Sequence, residues 1–571
     1  MITVLKFGGS VLRDESDLPH AVHEIYRHWR RGSQVVAVVS AFNGKTDKLL
    51  AKTLPFGDDA HVESVASLLL TGETESASLL CMELDRSGIR AKFLTAHQLN
   101  LLTKGERLDA EPVSVDAERL RNELSSSVVV VSGFGGIDEC GTSTLLGRGG
   151  SDLTALFLAE RLDARCILIK DTDGLFEYDP NAAKIKPRRF ESADYSTAIT
   201  IGGGVVQEKA IRFAERNALT IEIGALNSAS GTKVGDFADS FAENAEDRRP
   251  TRIALLGCGV VGGGAFAKLS ALPNDFEIVG VTNLHREKAI ANRVPGRLIV
   301  NDADELLSRD ADVVVELIGG IEPARTFIEK ALRSGKNVVT ANKALIAKHG
   351  EQLYEIAKNN GVSLRFSAAV GGVMPALESV AAVRECSSVS RISGIVNGTC
   401  NFICDELAKG IDFDTALLAA QQKGFAEADP TLDIDGSDAA QKLILLAREA
   451  FDVDLPFESI KRIGIQNIDP EQVQNAKQRG NSIKLVAECK RMTDGLYASV
   501  CPIEVLAEHP FAAIRGADNC LLIESIDGQK AIVRGKGAGR YPTTEAVIAD
   551  LFDIRNQTAA KEKAFAAKVK I

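Results

Sequence analysis

Short β-branched runs alternate with stretches of helical periodicity along most of the chain. Residues 35–39, 128–131, 166–169 and 220–223 read as buried strands in the first half, and 252–256, 277–281, 312–317 and 337–340 in the second. Apolar positions at helical spacing fill many of the gaps, as in 321–334 and 344–359. Continuous apolar strands separated by helices predict parallel sheets covered on both faces. The clearest break is 236–250, DFADSFAENAEDRRP, which is polar, acidic and then basic, and ends in Pro before a strand. It reads as a connection between domains. No repeat or low-complexity segment interrupts the pattern.

Composition narrows this picture. The 571 residues are enough for several domains, and 45% hydrophobic against 25% charged residues excludes wholesale disorder. A net charge of −11 and an aromatic content of 5% argue against a nucleic-acid partner. The ten cysteines form no CxxC pair, so we expect reduced thiols in a cytoplasmic protein rather than a metal site. The N-terminus MITVLKFGGS does not read as a signal peptide, and no apolar run is long enough to predict a membrane span.

In 251–264, TRIALLGCGVVGGG, a strand runs into Gly257-x-Gly259-x-x-Gly262 and helical spacing follows. Gly257 permits the tight turn, Gly259 lets backbone approach a pyrophosphate, and Gly262 allows close helix–strand packing. Val260 and Val261 open the helix whose N–H groups would face the phosphates. After the next strand, TNLHR offers no acid for a ribose hydroxyl; Arg286 and Lys288 either accept a 2′-phosphate or are surface charges, leaving NADP or NAD open. The densest carboxylate cluster is GFAEADPTLDIDGSDAAQK (424–442), with Glu427, Asp429, Asp433, Asp435 and Asp438. On a helix, Asp438 and Lys442 share one face, and a lysine beside acids can move protons. The alternatives are a solvated acidic loop or a calcium site, and the glycine an EF-hand loop needs is missing.

The stretches LLGCGVVGGG, VVVELIGG, TANKAL, AAVGGVMP, GIVNGTCNFI, GFAEADPTLDIDGSDAAQKL and GKGAGRYPT run in order through 251–571. This half resembles the homoserine dehydrogenases, which interconvert L-aspartate 4-semialdehyde and L-homoserine with NAD(P)H. The resemblance implies Lys442 as general acid/base, Lys343 beside the reacting oxygen, and Glu427 and Asp438 holding the substrate. Thr340, Asn342, Gly398 and Thr399 would line the cofactor–substrate cleft. The family's structural Na+ or K+ would meet the carbonyls of Val370 and Gly372, but Ser367 stands where the family commonly has Glu.

In the first half, Lys6-Phe7-Gly8-Gly9-Ser10 follows a short strand, a place where glycines and a lysine can cradle phosphates without the P-loop pattern. GRGGSD (147–152) opens a helix, and Asp171 and Asp173 follow a strand in KDTDGLFEYDP. With VSAFNGKTD (39–47) and LLTGE (69–73), these motifs resemble aspartate kinase of the amino-acid kinase family over 1–235. The resemblance implies that Lys6 stabilises the phosphoryl group, Glu73 binds the aspartate ammonium and Arg148 its carboxylate. Ser40, Thr46 and Ser151 would complete that pocket, with Gly8, Gly9, Asp171 and Asp173 at ATP and its Mg2+. Three positions and one run depart from the family: Lys170 for Thr, Phe176 for Tyr, Asn181 for a basic residue, and Gly203-Gly204-Val205-Val206-Gln207-Glu208 for a run containing Lys. Lys170, Lys184 or Lys209 can compensate.

The expected architecture is α/β: an amino-acid-kinase-like sandwich (1–235), a linker (236–250), a Rossmann-type domain (251–385, with 530–571 packing back on it) and an α+β substrate and dimerisation domain (386–529). The linker leaves no room for the ACT modules usual after such kinases, so we expect no feedback by lysine or threonine through them. One reading is a bifunctional enzyme acting on aspartate, aspartate semialdehyde and homoserine for threonine and methionine synthesis. The other keeps the dehydrogenase beside a non-catalytic kinase-like module. Family habit implies a homo-oligomer, at least a dimer.

Overall fold

The structure is a computed structural model that describes residues 1–179, 187–202, 204–228, 230–242 and 249–569. Asn181, Lys184, Gly203 and 243–248 of the expected connection lie outside the described residues. The chain divides into two compact units, Met1–Arg248 and Arg249–Ile571.

The first unit is built on strands β1 (Ile2–Phe7), β2 (Gln34–Val39), β3 (Ala91–Leu94), β4 (Val128–Ser132), β5 (Arg165–Lys170), β6 (Phe190–Asp194), β7 (Ile221–Ala225), β8 (Thr232–Gly235) and β9 (Ser240–Phe241). They form one sheet in the order β9-β6-β8-β7-β5-β1-β2-β4-β3. From β7 to β3 every pairing is parallel. Helices including α1 (Val62–Arg86) and α2 (Gly150–Leu162) bury the valine runs of β2 and β4, which explains why these strands show no alternation. A four-stranded sheet (Leu102–Glu106, Asp109–Ser114, Gly135–Ile137 and Ser143–Leu145) accompanies it.

The second unit opens with β10 (Thr251–Leu256), α3 (Val260–Ser270), β11 (Phe276–Thr282), β12 (Val313–Glu316), β13 (Asn337–Thr340), α4 (Lys343–Asn359) and β14 (Leu364–Arg365). Its strands lie parallel in the order β11-β10-β12-β13-β14, the Rossmann-like arrangement expected. The helix expected over 321–334 begins only at Ala324, behind Pro323, because a residue preceding proline disfavours helical backbone. Next come β15 (Val389–Ile395), α5 (Gly398–Leu407), α6 (Ser437–Phe451), β16 (Lys461–Arg462), β17 (Ser482–Met492), β18 (Gly495–Val505), β19 (Asp518–Ser525) and β20 (Lys530–Lys536). This second sheet runs β16-β18-β17-β15-β19-β20 and is mostly antiparallel. A terminal helix, α7 (Arg540–Val569), sends Ala546, Val547, Leu551 and Phe552 into one apolar cluster with Ile253 and Leu255 of β10. All ten cysteines are free.

Candidate active sites

The second unit places its nucleotide-type turn at the end of β10. Gly257 has φ +96°, and a Cβ there would lie 2.5 Å from the Leu317 carbonyl. A Cβ on Gly262 would meet the Gly257 carbonyl at 2.1 Å. Both positions therefore require glycine. Gly259 differs: a Cβ there meets nothing within 4 Å, so the space in front of the α3 N-terminus is open. Val260 is exposed at that terminus, and the Val261 carbonyl accepts a hydrogen bond from Thr544 Oγ1. Glu316, fully buried at the end of β12, accepts from the N–H groups of Ile318 (2.7 Å) and Gly319 (3.1 Å) and from Thr340 Oγ1 (2.5 Å). It thereby ties together the ends of β12 and β13. Asn342 caps α4 through its Oδ1 and donates from Nδ2 to the Gly320 carbonyl at 2.6 Å, which sets Lys343 in the first helical turn.

Lys343 points to Asp438 in the first turn of α6. Its Nζ is 2.9 Å from Asp438 Oδ1, while Lys442 Nζ is 2.9 Å from Oδ2. Lys442 is buried and also donates to the Val396 carbonyl at 2.7 Å. Asn397 Nδ2 donates to Asp438 (2.9 Å) and Asp433 (2.7 Å), and its Oδ1 caps α5. Burial works to raise the Asp438 carboxyl, but Lys442 and Lys343 outweigh it and hold it well below the ordinary carboxylate range. Asp433 moves the opposite way, raised by burial and by the Asp438 charge. Burial opposes the charge on Lys343, yet Asp438, with Asp433 and Glu427 behind it, keeps its pKa raised. Glu427 itself is exposed. Gly398 starts α5 against the Ala517 carbonyl, and Thr399 Oγ1 donates to the Phe425 carbonyl at 2.6 Å.

Three further expected positions are Arg286, Val370 and Gly372. Arg286 is exposed and donates to Asn301 Oδ1 at 2.7 Å. Val370 is buried and Gly372 has φ +53°; Ser367 Oγ donates to Glu378 Oε1 at 2.7 Å, which brings a carboxylate to that turn.

In the first unit, Lys6, Gly9, Ser40, Thr46, Glu73, Arg148 and Ser151 line one cavity of about 410 Å³. Asp152, in the first turn of α2, sits between Lys6 Nζ (2.7 Å) and Lys170 Nζ (2.9 Å). Gly8 lies beneath the Lys6 ammonium, where a Cβ would be 2.8 Å from Nζ. Glu73 is buried with Oε2 unpartnered, and burial pushes its carboxyl up to about 8, against an Ala41 N–H and the Lys6 charge. Asp171 and Asp173 are not among the residues lining this cavity; Asp171 is exposed, and Asp173 lies 3.6 Å from Arg189.

Sequence reading missed Asn397 and Glu316 and gave Asp433 no particular role. Asn397 had a readable signal as a cap before a helix, and Glu316 as an acid closing an apolar strand.

Comparison with known proteins matches residues 1–224 to the amino acid kinase family, 257–367 to the NAD binding domain of homoserine dehydrogenase, and 375–552 to homoserine dehydrogenase. A homoserine dehydrogenase of Lactococcus lactis subsp. lactis is 36% identical over 314 residues, covering 53% of this chain and 73% of that protein. One from Mycobacterium leprae is 38% identical over 322 residues, covering 53% and 72%. The crystal structure of a homoserine dehydrogenase from Thiobacillus denitrificans is similar at a TM-score of 0.52 and 36% identity, covering 55% of this chain and 74% of that one.

Proposed function

The chain belongs to the homoserine dehydrogenase family, with a domain of the amino acid kinase family preceding it, and from that premise we propose roles for its residues. The second unit reduces L-aspartate 4-semialdehyde to L-homoserine, reversibly. A bound nicotinamide dinucleotide supplies or accepts the hydride. As hydride reaches the aldehyde carbon, charge builds on its oxygen; Lys343 stabilises that charge and Lys442 supplies the proton. Asp438 fixes both ammoniums, and with Glu427 and Asp433 it faces the substrate's own ammonium. Thr340, Asn342, Gly398 and Thr399 border the cleft, and Gly257, Gly259, Val260, Val261 and Gly262 form the pyrophosphate turn. The observation that carries this reading is one buried carboxylate holding two lysines from separate helices.

The exposed guanidinium of Arg286 suits a 2′-phosphate, so NADP is served as well as NAD. A monovalent cation, Na+ or K+, fits the turn of Val370 and Gly372, with Glu378 supplying the carboxylate that Ser367 lacks. Exposed Tyr497, Ile503 and Ile532 on the six-stranded sheet suit it to a homo-oligomeric contact, at least a dimer. Cytoplasmic residence accords with ten free cysteines.

The first unit transfers phosphate from ATP to L-aspartate, giving L-aspartyl 4-phosphate. Lys6 stabilises the transferring group above Gly8 and Gly9, Glu73 takes the aspartate ammonium, and Arg148 takes its carboxylate. Ser40, Thr46 and Ser151 complete the pocket, and Asp171 and Asp173 stand on the side of the nucleotide and its Mg2+. Lys442→Ala should lower homoserine oxidation by about 10³-fold, and Lys6→Ala should remove aspartyl-phosphate formation. An unimpaired Lys442→Ala enzyme sinks the first assignment. A wild-type chain that makes no acyl phosphate leaves the first unit as a binding or assembly module.

A further inference from the structure

Lys170 closes β5, is only 8% exposed, and lines the cavity that holds Lys6. Parallel pairing of β1 with β5 sets Lys6 opposite Leu168, so the two strands end side by side. Asp152 takes one ammonium on each oxygen, Lys6 on Oδ1 and Lys170 on Oδ2. One carboxylate cannot neutralise two ammoniums. The cavity wall holds a second buried acid, Glu73, whose carboxyl burial pushes up to about 8. Burial and Lys6 depress the Lys170 ammonium, while Asp152 and, less strongly, Asp171 sustain it. Gly149, Gly150 and Ser151, where α2 begins, lie on the same wall. Uncompensated buried charge is costly, and here it faces open space wide enough for a phosphoryl group.

We propose that Lys170 is a second catalytic cation of this unit, gripping the phosphoryl group together with Lys6, on the side of the departing nucleotide. The inference rests on the acyl-phosphate kinase reading above. Lys170 leads directly into Asp171 and Asp173, the residues assigned to the nucleotide side. In the step itself, a side-chain carboxylate oxygen of aspartate forms the new P–O bond as the bond to the diphosphate breaks. No proton or electron is needed. Negative charge spreads over the transferring oxygens and grows on the departing bridge oxygen, where a second fixed ammonium stabilises it. Lys209 does not fill this role, because it is held by Asp109 at 2.6 Å and by the carbonyls of Ala110 and Leu146.

The test uses the full chain with Lys170→Met and Lys170→Arg, trapping acyl phosphate with hydroxylamine. Lys170→Met should lower kcat about 100-fold with the KM for aspartate within about threefold, and Lys170→Arg should recover at least about a tenth of wild-type turnover. Homoserine oxidation in the same samples calibrates protein concentration, and circular dichroism melting reports folding. Should Lys170→Met fail to fold, Lys170→Gln decides on the same criteria. A neutral variant that keeps kcat within about threefold, or one that changes only the KM for aspartate, overturns the proposal. A wild-type chain that forms no acyl phosphate refutes the kinase reading itself and this proposal with it, whereas an active wild type with an indifferent Lys170 refutes the proposal alone.

Discussion

Asp438 shows how much one side chain can organise. Buried in the first turn of α6, it holds Lys442 from its own helix, Lys343 from another, and the Asn397 amide. Replacing it with Asn leaves two ammoniums facing each other with one neutral partner. Asp438→Asn should cost about 3–5 kcal/mol in denaturant unfolding and depress homoserine turnover. Glu73 obeys the opposite electrostatics. Its folded-state pKa of about 8 lies above the usual 4.5, so between those values the folded chain holds a proton that the unfolded chain has released. Stability therefore falls as pH rises through that window. Glu73→Gln should melt higher than wild type at about pH 9, and the gap should close near about pH 5. The i,i+4 spacing of Asp438 and Lys442 was readable along the chain, because a helix brings such positions to one face. The pairing with Lys343 was not, since nothing in its neighbourhood indicates which distant acid it will meet.

At the scale of elements, the turn from β10 into α3 separates two uses of glycine. Gly262 is required by packing, because a Cβ there collides with the Gly257 carbonyl. Gly259 differs, because a Cβ there meets no atom within 4 Å. Gly262→Ala should therefore lose more than about 2 kcal/mol of stability, seen as a lower Tm. Gly259→Ala should keep its Tm within about 2 °C while weakening dinucleotide binding by about tenfold or more in titration. Strands were the most legible elements: the buried valine runs of β2, β4 and β12 stand out because sheets covered on both faces demand them. Helix ends were less so, as the late start at Ala324 shows.

At the scale of the whole molecule, each site draws all its described residues from one unit: Lys6, Glu73, Asp152 and Lys170 from the first, Lys343, Asp433, Asp438 and Lys442 from the second. The two reactions should then fail separately. In the full chain, Lys442→Ala should leave aspartyl-phosphate formation within about twofold of wild type, and Lys6→Ala should do the same for homoserine oxidation. Loss of both activities from either substitution would contradict that independence. The two chemistries also need not be coupled directly, because an acyl phosphate must first be reduced to the semialdehyde.

What the amino-acid order determined alone is whatever depends on near neighbours: alternating strands and helices, the glycine turn at 257–262, and the single-face pairing of Asp438 with Lys442. Those follow from local backbone geometry, whose periods are written into the chain. Tertiary structure decided which distant groups meet: Lys343 with Asp438, Glu316 with Thr340, and Lys6 with Lys170 across Asp152. Such meetings depend on strand order and on how helices pack over the sheets. A buried charge then takes the partners that this packing places within reach.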